Sequence, residues 1–289
     1  MHHKVPVTGA PDQRHTPAWL ACVARLGQLS SMPVSELDTT LDTTESAEQR
    51  EARSAAAGGG DKRAYVQRIF SQIAPRYDLL NHLLSFNIDK AWRQKAIAAL
   101  GWERAPAGTY VDLCAGTLDV SAQLAKRPGF RGKIVGADFA EPMLRAGVGK
   151  ASASVVSPVV ADALDLPLPG DSASGAIVAF GIRNVADLDR ALREVRRVLE
   201  PGARFVILEF TTPRSALVRA GYHLYFHHVL PFIGGLISGH RTAYTYLPKS
   251  VANFPIEEDL ASRMRSAGFV DVSWRVLTFG VAAIHVGRK

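Results

Sequence analysis

Cysteine is scarce: the chain has two, Cys22 and Cys114, in 289 residues. They form no C-x-x-C pair and lack zinc-ligand spacing, so neither a disulfide framework nor a structural metal is expected. A reducing cytosol is the default compartment for such a chain. Long apolar runs are also missing. The longest, Ala173–Ile182 and Val229–Ser238, fall short of the roughly 18 residues that span a bilayer. Trp19–Leu29 is interrupted by Arg25 and no cleavage site follows, so a signal peptide is not expected. The pattern G-x-G-x-x-G does not occur, which argues against a dinucleotide site. No internal repeat is visible. The charge balance, 34 Lys+Arg against 27 Asp+Glu for a net +7, allows an anionic partner. The basic residues are dispersed and no nucleic-acid module is recognisable, so nucleic acid is not expected.

What is present falls into two parts. Residues 1–60 hold scattered Pro, Thr, Ser and His and the small-residue run Ala55–Gly60. They read as a disordered tail and linker. From residue 61 to 289 the pattern is that of one α/β domain. Asp61 is placed to cap a helix presenting Val66, Ile69, Phe70 and Ile73, which Pro75 ends. Lys90–Leu100 reads as a second helix. Strands are then expected at Tyr110–Cys114, Lys133–Asp138, Val155–Ala161, Ala176–Ala179 and Arg204–Phe210. Helices are expected between them at Val120–Lys126, Ala140–Gly147 and Leu188–Leu199, the last capped by Asp187. Such alternation argues for a mostly parallel sheet covered on both faces. Glu257–Ala267 reads as a helix, and Val270–Val276 and Val281–Gly287 as two closing strands.

Between the fifth strand and that helix lies an insert, residues 213–250. It carries Arg214, Arg219, Arg241 and Lys249, no acid, and many aromatic and aliphatic residues. This composition suits a lid or a segment facing an anionic membrane.

The segment Val111–Asp119 leaves a strand and enters a helix through a tight turn, where backbone N–H groups can approach a ligand. The next strand ends in Asp138, an acid placed to accept from a ribose diol. Asp162-Ala163 follow the third strand, where Asp162 can accept from an adenine amino group and Ala163 leaves room for the ring. The arrangement suits a dinucleotide or S-adenosylmethionine, and without the glycine fingerprint the second is favoured. The cofactor-binding candidates are Asp112, Gly116, Thr117, Asp138, Asp162 and Ala163.

Several ordered blocks carry a family resemblance. They are Ile69–Asn81 (IFSQIAPRYDLLN), Leu84-Ser85-Phe86, Trp92-Arg93, Phe180–Val185 (FGIRNV), Arg197–Gly202, Leu208-Glu209-Phe210, Tyr244–Val251, Phe254-Pro255 and Leu277–Val281. Over Tyr65–Lys289 the chain resembles the ubiquinone/menaquinone biosynthesis C-methyltransferases. The resemblance implies a seven-stranded, doubly wound, mostly parallel sheet with the last strand antiparallel. It implies cofactor contacts at Thr117, Asp138, Asp162 and Ala163, and C-methylation of a prenylated quinol such as demethylmenaquinol. The family usually has glycine where this chain has Ala115 and Leu118. Leu118 puts a large side chain where the backbone is expected to approach the cofactor's methionine part.

Methylating a quinol carbon needs an electron-rich reduced ring, alignment with the donor and exclusion of water. Arg183, Asn184 and Tyr77 are the catalytic candidates: Arg183 to hold a developing phenolate, Asn184 and Tyr77 to orient it. The alternatives are a methyltransferase for another lipid or small molecule, and a non-catalytic binding member of a quinone-synthesis assembly. The expected setting is the cytoplasm or the inner membrane face, with peripheral membrane contact and a homodimer as further candidate partners.

Overall fold

The computed structural model of the protein describes residues 47–56, 62–78, 85, 87–225 and 241–289. Asp61, the expected cap, lies outside the described residues. So do residues 1–46 and 57–60 of the expected tail, and 226–240 of the insert.

In chain order the regular helices and strands are α1 (Ala47–Ala56), α2 (Lys62–Ile73), α3 (Ile88–Leu100), β1 (Thr109–Leu113), α4 (Asp119–Ala125), β2 (Lys133–Asp138), α5 (Glu141–Gly147), β3 (Val156–Val160), β4 (Ala173–Ala179), α6 (Leu188–Val198), β5 (Leu199–Phe210), α7 (Ala216–Leu224), α8 (Arg241–Ala252), α9 (Glu257–Ser266), β6 (Val270–Leu277) and β7 (Ala282–Arg288). The strands form one sheet in the order β3-β2-β1-β4-β5-β7-β6. Strands β1 to β5 are parallel, and β7 is antiparallel to both of its neighbours.

Apolar residues of the central strands alternate between two cores. Tyr110, Ile134, Ile177, Val206 and Leu208 face one layer, with Trp92, Ile97 and Leu100 of α3 and Leu124 of α4. Val111, Leu113, Val178, Phe205 and Ile207 face the other, with Leu192 and Val195 of α6 and Leu260 and Met264 of α9. This is the period-two pattern of a strand covered on both sides. Each fully buried side chain of this size contributes roughly 1.5–3 kcal/mol of transfer free energy before chain entropy is counted.

Local signals explain the element ends. The Asp187 carboxylate accepts from the Arg190 N–H at 2.9 Å, capping α6 as its sequence position suggests. Helix α6 stops at Val198 because Leu199 is already extended and Ala173 pairs with it across β4, so β5 begins five residues before the expected Arg204. Pro75 opens a short 3-10 turn, Ala74–Arg76, where α2 ends.

One element departs from the sequence reading. Residues 47–56, assigned to the disordered tail, form α1. Its buried Ala52, Ala55 and Ala56 join a cluster with Tyr65, Val66, Ile69 and Ile73 of α2 and Tyr246 of α8. Three alanines make an apolar stripe narrow enough for close helix packing and too weak in hydrophobicity to stand out in a sequence.

Candidate active site

The sheet order reverses between β1 and β4, which opens a crevice at the carboxyl ends of the strands. A pocket lies there. Its walls include Gly116, Asp138, Phe139, Asp162, Ala163, Phe180, Asn184 and Tyr77. The turn after β1 gives it its floor. Cys114, Gly116 and Leu118 all adopt positive φ, which for the two non-glycine residues costs roughly 1–2 kcal/mol each. Gly181, facing this turn, has no room for a side chain: a Cβ there would stand 2.3 Å from that of Cys114.

Leu118 does not obstruct the pocket. Its side chain is buried in the gap beside Gly136 and Gly147, where added Cβ atoms would lie 2.4 Å and 2.9 Å from it. The leucine fills space left by two absent side chains, so the large residue turns into the core and away from the ligand.

Asp138 is buried and accepts from the Gly116 and Ala140 N–H groups, each at 2.8 Å. Burial raises its pKa, and these amides with that of Phe139 oppose the rise. A carboxylate has about four lone-pair positions, so with three amides on it about one remains for a diol hydroxyl at the pocket wall. Asp162 also lines the pocket. It accepts from the Leu164 N–H at 3.0 Å and pairs with Arg63 of α2 at 3.2 Å. Ala163 lies beside it in the wall.

Two expected cofactor residues stand behind the wall instead. Asp112 accepts from both the N–H (3.0 Å) and the hydroxyl (2.6 Å) of Ser121, and so fixes the first turn of α4. Burial raises its pKa to about 7 against those hydrogen bonds. Its Oδ2 is therefore turned inward to a helix. Thr117 donates its hydroxyl to Asp78 at 2.5 Å. Asp78 also pairs with Lys150, which reaches Asp119 at 2.7 Å. Thr117 thus ties the turn to the segment after α2.

The catalytic candidates divide in the same way. Tyr77 and Asn184 line the pocket. Arg183 does not. It is buried, and its Nη1 donates to Glu209 at 2.6 Å and to the Phe180 carbonyl at 2.5 Å, while Nε donates to Ser250 at 3.3 Å. The Arg183 charge is met by the buried Glu209 carboxylate behind the pocket. Burial raises the Glu209 pKa, and Arg183 opposes the rise. Asn184 accepts the Tyr246 hydroxyl on its Oδ1 at 3.2 Å, which leaves its NH₂ as the donating end. Burial pushes the Tyr246 pKa up to about 12, so it stays a neutral donor.

Helix α2 roofs the pocket through Val66 and Phe70. Three polar contacts hold it: Lys62 to the Arg183 carbonyl at 2.9 Å, Gln67 to the Phe139 carbonyl at 3.2 Å, and the Arg63–Asp162 pair. Sequence reasoning assigned no role to Arg63, Asp78 or Glu209. Asp78 and Glu209 lay inside the quoted blocks, and an acid ending an apolar strand was the available signal for Glu209.

A strand-end carboxylate with a spare lone pair, a glycine turn beneath it and apolar walls for a flat ring match S-adenosylmethionine. Fold and site define a methyltransferase that takes its methyl group from that donor. The profile of the ubiE/COQ5 methyltransferase family matches residues 59–289. The chain belongs to that family. It is 51% identical over 224 residues to a demethylmenaquinone methyltransferase of Thermus thermophilus, covering 76% of this chain and 100% of that protein. It is 43% identical over 233 residues to the ubiquinone/menaquinone biosynthesis C-methyltransferase UbiE of Geobacter sulfurreducens, covering 79% of this chain and 90% of that one. Among solved structures, a possible histamine N-methyltransferase of Thermotoga maritima has the same fold, with TM-score 0.54 and 20% identity over 77% of this chain and 98% of its own.

Proposed function

We propose that the protein methylates a ring carbon of a prenylated quinol, with demethylmenaquinol as the substrate. The observation that carries this reading is the 51% identity to the Thermus thermophilus demethylmenaquinone methyltransferase across that protein's whole length. The aromatic lining of the pocket, Phe70, Tyr77, Phe139 and Phe180, suits a flat apolar ring. S-adenosylmethionine supplies a methyl group already activated on a sulfonium, so the residues need only hold the acceptor, shield it and stabilise charge.

In this reading Asp138 takes the ribose diol and Ala163 leaves room for the adenine beside Asp162. The Asn184 NH₂ donates to the quinol oxygen as it sheds its proton to become the phenolate, and Tyr77 sets the ring's orientation. Arg183 is a positioning residue: with Glu209 it fixes the turn that presents Asn184. Methyl transfer forms one carbon–carbon bond and breaks the carbon–sulfur bond, leaving S-adenosylhomocysteine, and the ring-carbon proton then passes to the ring oxygen, which restores aromaticity. Helices α2 and α8 keep water from the reacting carbon.

The prenyl chain makes a membrane-facing surface part of the proposal. Helix α7 exposes Leu217 (85%) and Leu224 (63%), seven residues apart on one face, with exposed Arg219 between them. Apolar residues with a cation suit insertion at an anionic lipid surface. No helix among the described residues is long and apolar enough to cross a membrane.

The test is single-turnover methylation of chemically reduced demethylmenaquinone with labelled donor. Product should form with wild type and fall by about 10²-fold with Asn184→Ala, the usual loss for one such donor. Labelled donor bound without methylation of either benzoquinol or naphthoquinol acceptors overturns the substrate assignment.

A further inference from the structure

A second groove lies at the opposite edge of the sheet from the pocket. Arg204, in its wall, pairs with Gly175 near the start of β4, whereas the pocket is lined by Ala179 at that strand's end. The groove is lined by Ala99, Arg104, Arg204, Asp271, Ser273 and Arg288, among others. A neighbouring depression shares Ala99 and Ser273 and adds Lys95 and Arg275. We propose that this groove binds a dianionic phosphate group through Arg104 and Arg204, with Arg288 at its rim.

Two guanidiniums are held side by side in the groove wall. One point, the position a Cβ on Gly101 would take, lies 2.9 Å from Arg204 Nη1 and 3.7 Å from Arg104 Nε. Neither arginine makes an ion pair among the described residues. Arg288 does, with Asp271 at 2.5 Å, so it is already neutralised. The groove therefore keeps a net positive charge, with Glu103 the nearby acid. Arg204 uses one of its five N–H donors on the Ala99 carbonyl at 3.0 Å, and the rest stay available. Burial and the nearby charges of Arg104 and Arg288 disfavour its charged form, and Glu103 offsets this only in part.

Two like charges that Glu103 offsets only in part, one of them partly buried, repel one another in the free protein. The placement becomes favourable when an anion joins them. A carboxylate supplies one charge and two oxygens. A phosphate monoester supplies nearly two charges and three oxygens, which matches two planar forks with the Ser273 hydroxyl beside them. The phosphate can belong to a free small molecule or to a lipid headgroup, and the chemistry of recognition is the same.

The test is calorimetric titration of the full chain with inorganic phosphate at constant ionic strength. In parallel the chain is co-sedimented with phosphatidylcholine vesicles made with and without phosphatidic acid. Arg104→Gln is the first variant, because the side chain is exposed and its loss leaves the core intact. Arg204→Gln is the second. Saturable phosphate binding that weakens about tenfold or more in both variants supports the site and assigns it to a free anion. Vesicle binding that requires phosphatidic acid and is lost in both variants supports it as a headgroup site. A second readout separates this role from a merely structural one. At low salt without phosphate, Arg104→Gln should melt no lower than wild type, because it relieves repulsion, and added phosphate should no longer raise its Tm. The proposal is overturned if neither probe binds saturably, if binding is unchanged in the variants, or if S-adenosylhomocysteine displaces the phosphate.

Discussion

Below the pocket, along the sheet edge, three carboxylates are buried: Asp112, Asp138 and Glu209. Backbone amides, one hydroxyl and one guanidinium satisfy them. Above the pocket, helix α2 is held by aromatic contacts such as Tyr65–Tyr246, at 5.5 Å between centroids, and by partly solvated polar contacts such as Arg63–Asp162. The first arrangement is stiff, because removing any partner strands a buried polar group. The second can be broken and remade at little cost, since exposed ion pairs contribute about 0–1 kcal/mol. A methyltransferase needs both. The donor's site must be preorganised, while the roof must admit and release a large apolar acceptor.

The largest test of this contrast is Arg183→Ala. It leaves Glu209 buried without its cation, and the loss should be about 3–5 kcal/mol in a urea melt. Arg183→Met combined with Glu209→Gln should recover most of it. A single variant as stable as wild type would mean that the sheet edge is no stiffer than the roof.

Next in size is a pH effect at Asp112. Its pKa rises from 3.8 in the unfolded chain to about 7 in the fold. The stability it contributes is therefore present below about pH 4 and is lost as pH climbs through about 7. Asp112→Asn keeps an acceptor for Ser121 without that loss. The variant should be more stable than wild type at pH 8 by on the order of 1–3 kcal/mol, and the advantage should vanish by pH 4. Parallel denaturant melts at the two pH values read it directly.

For the donor, Asp138→Ala should weaken S-adenosylmethionine binding by about 1–3 kcal/mol through loss of charge-assisted bonds. Unchanged affinity by calorimetry would remove Asp138 from the site. The smallest effect belongs to the roof. Deleting residues 1–56 removes α1 and uncovers part of α2, and should lower stability by about 1 kcal/mol, whereas deleting 1–45 should change nothing measurable. If the two truncations melt alike, α1 does not support the roof.

How much of this was legible in the sequence follows from distance along the chain. Asp138, Asn184 and Tyr77 sit in motifs whose neighbours carry the signal, and all three line the pocket. The capping of α6 by Asp187 and the alternation of the central strands are local patterns, and both were readable. The pairing of Arg183 with Glu209 was not legible, because Glu209 lies 26 positions away on β5. Motif position gives a residue's neighbourhood and leaves open which way its side chain turns. Asp112 turned inward for the same reason, toward Ser121 nine positions on. Leu118 looked like an obstacle because Gly136 and Gly147, which make room for it, sit on β2 and α5.

The place of β7 in the sheet has a consequence for synthesis. It is the last of the seven strands in chain order, yet it lies between β5 and β6 and bonds to both. While the chain emerges from the ribosome, β6 has no partner and β5 keeps one side open until β7 is free. The nascent sheet stays incomplete until then, and a chain stopped before Ala282 lacks an interior strand, leaving two edges exposed to aggregation.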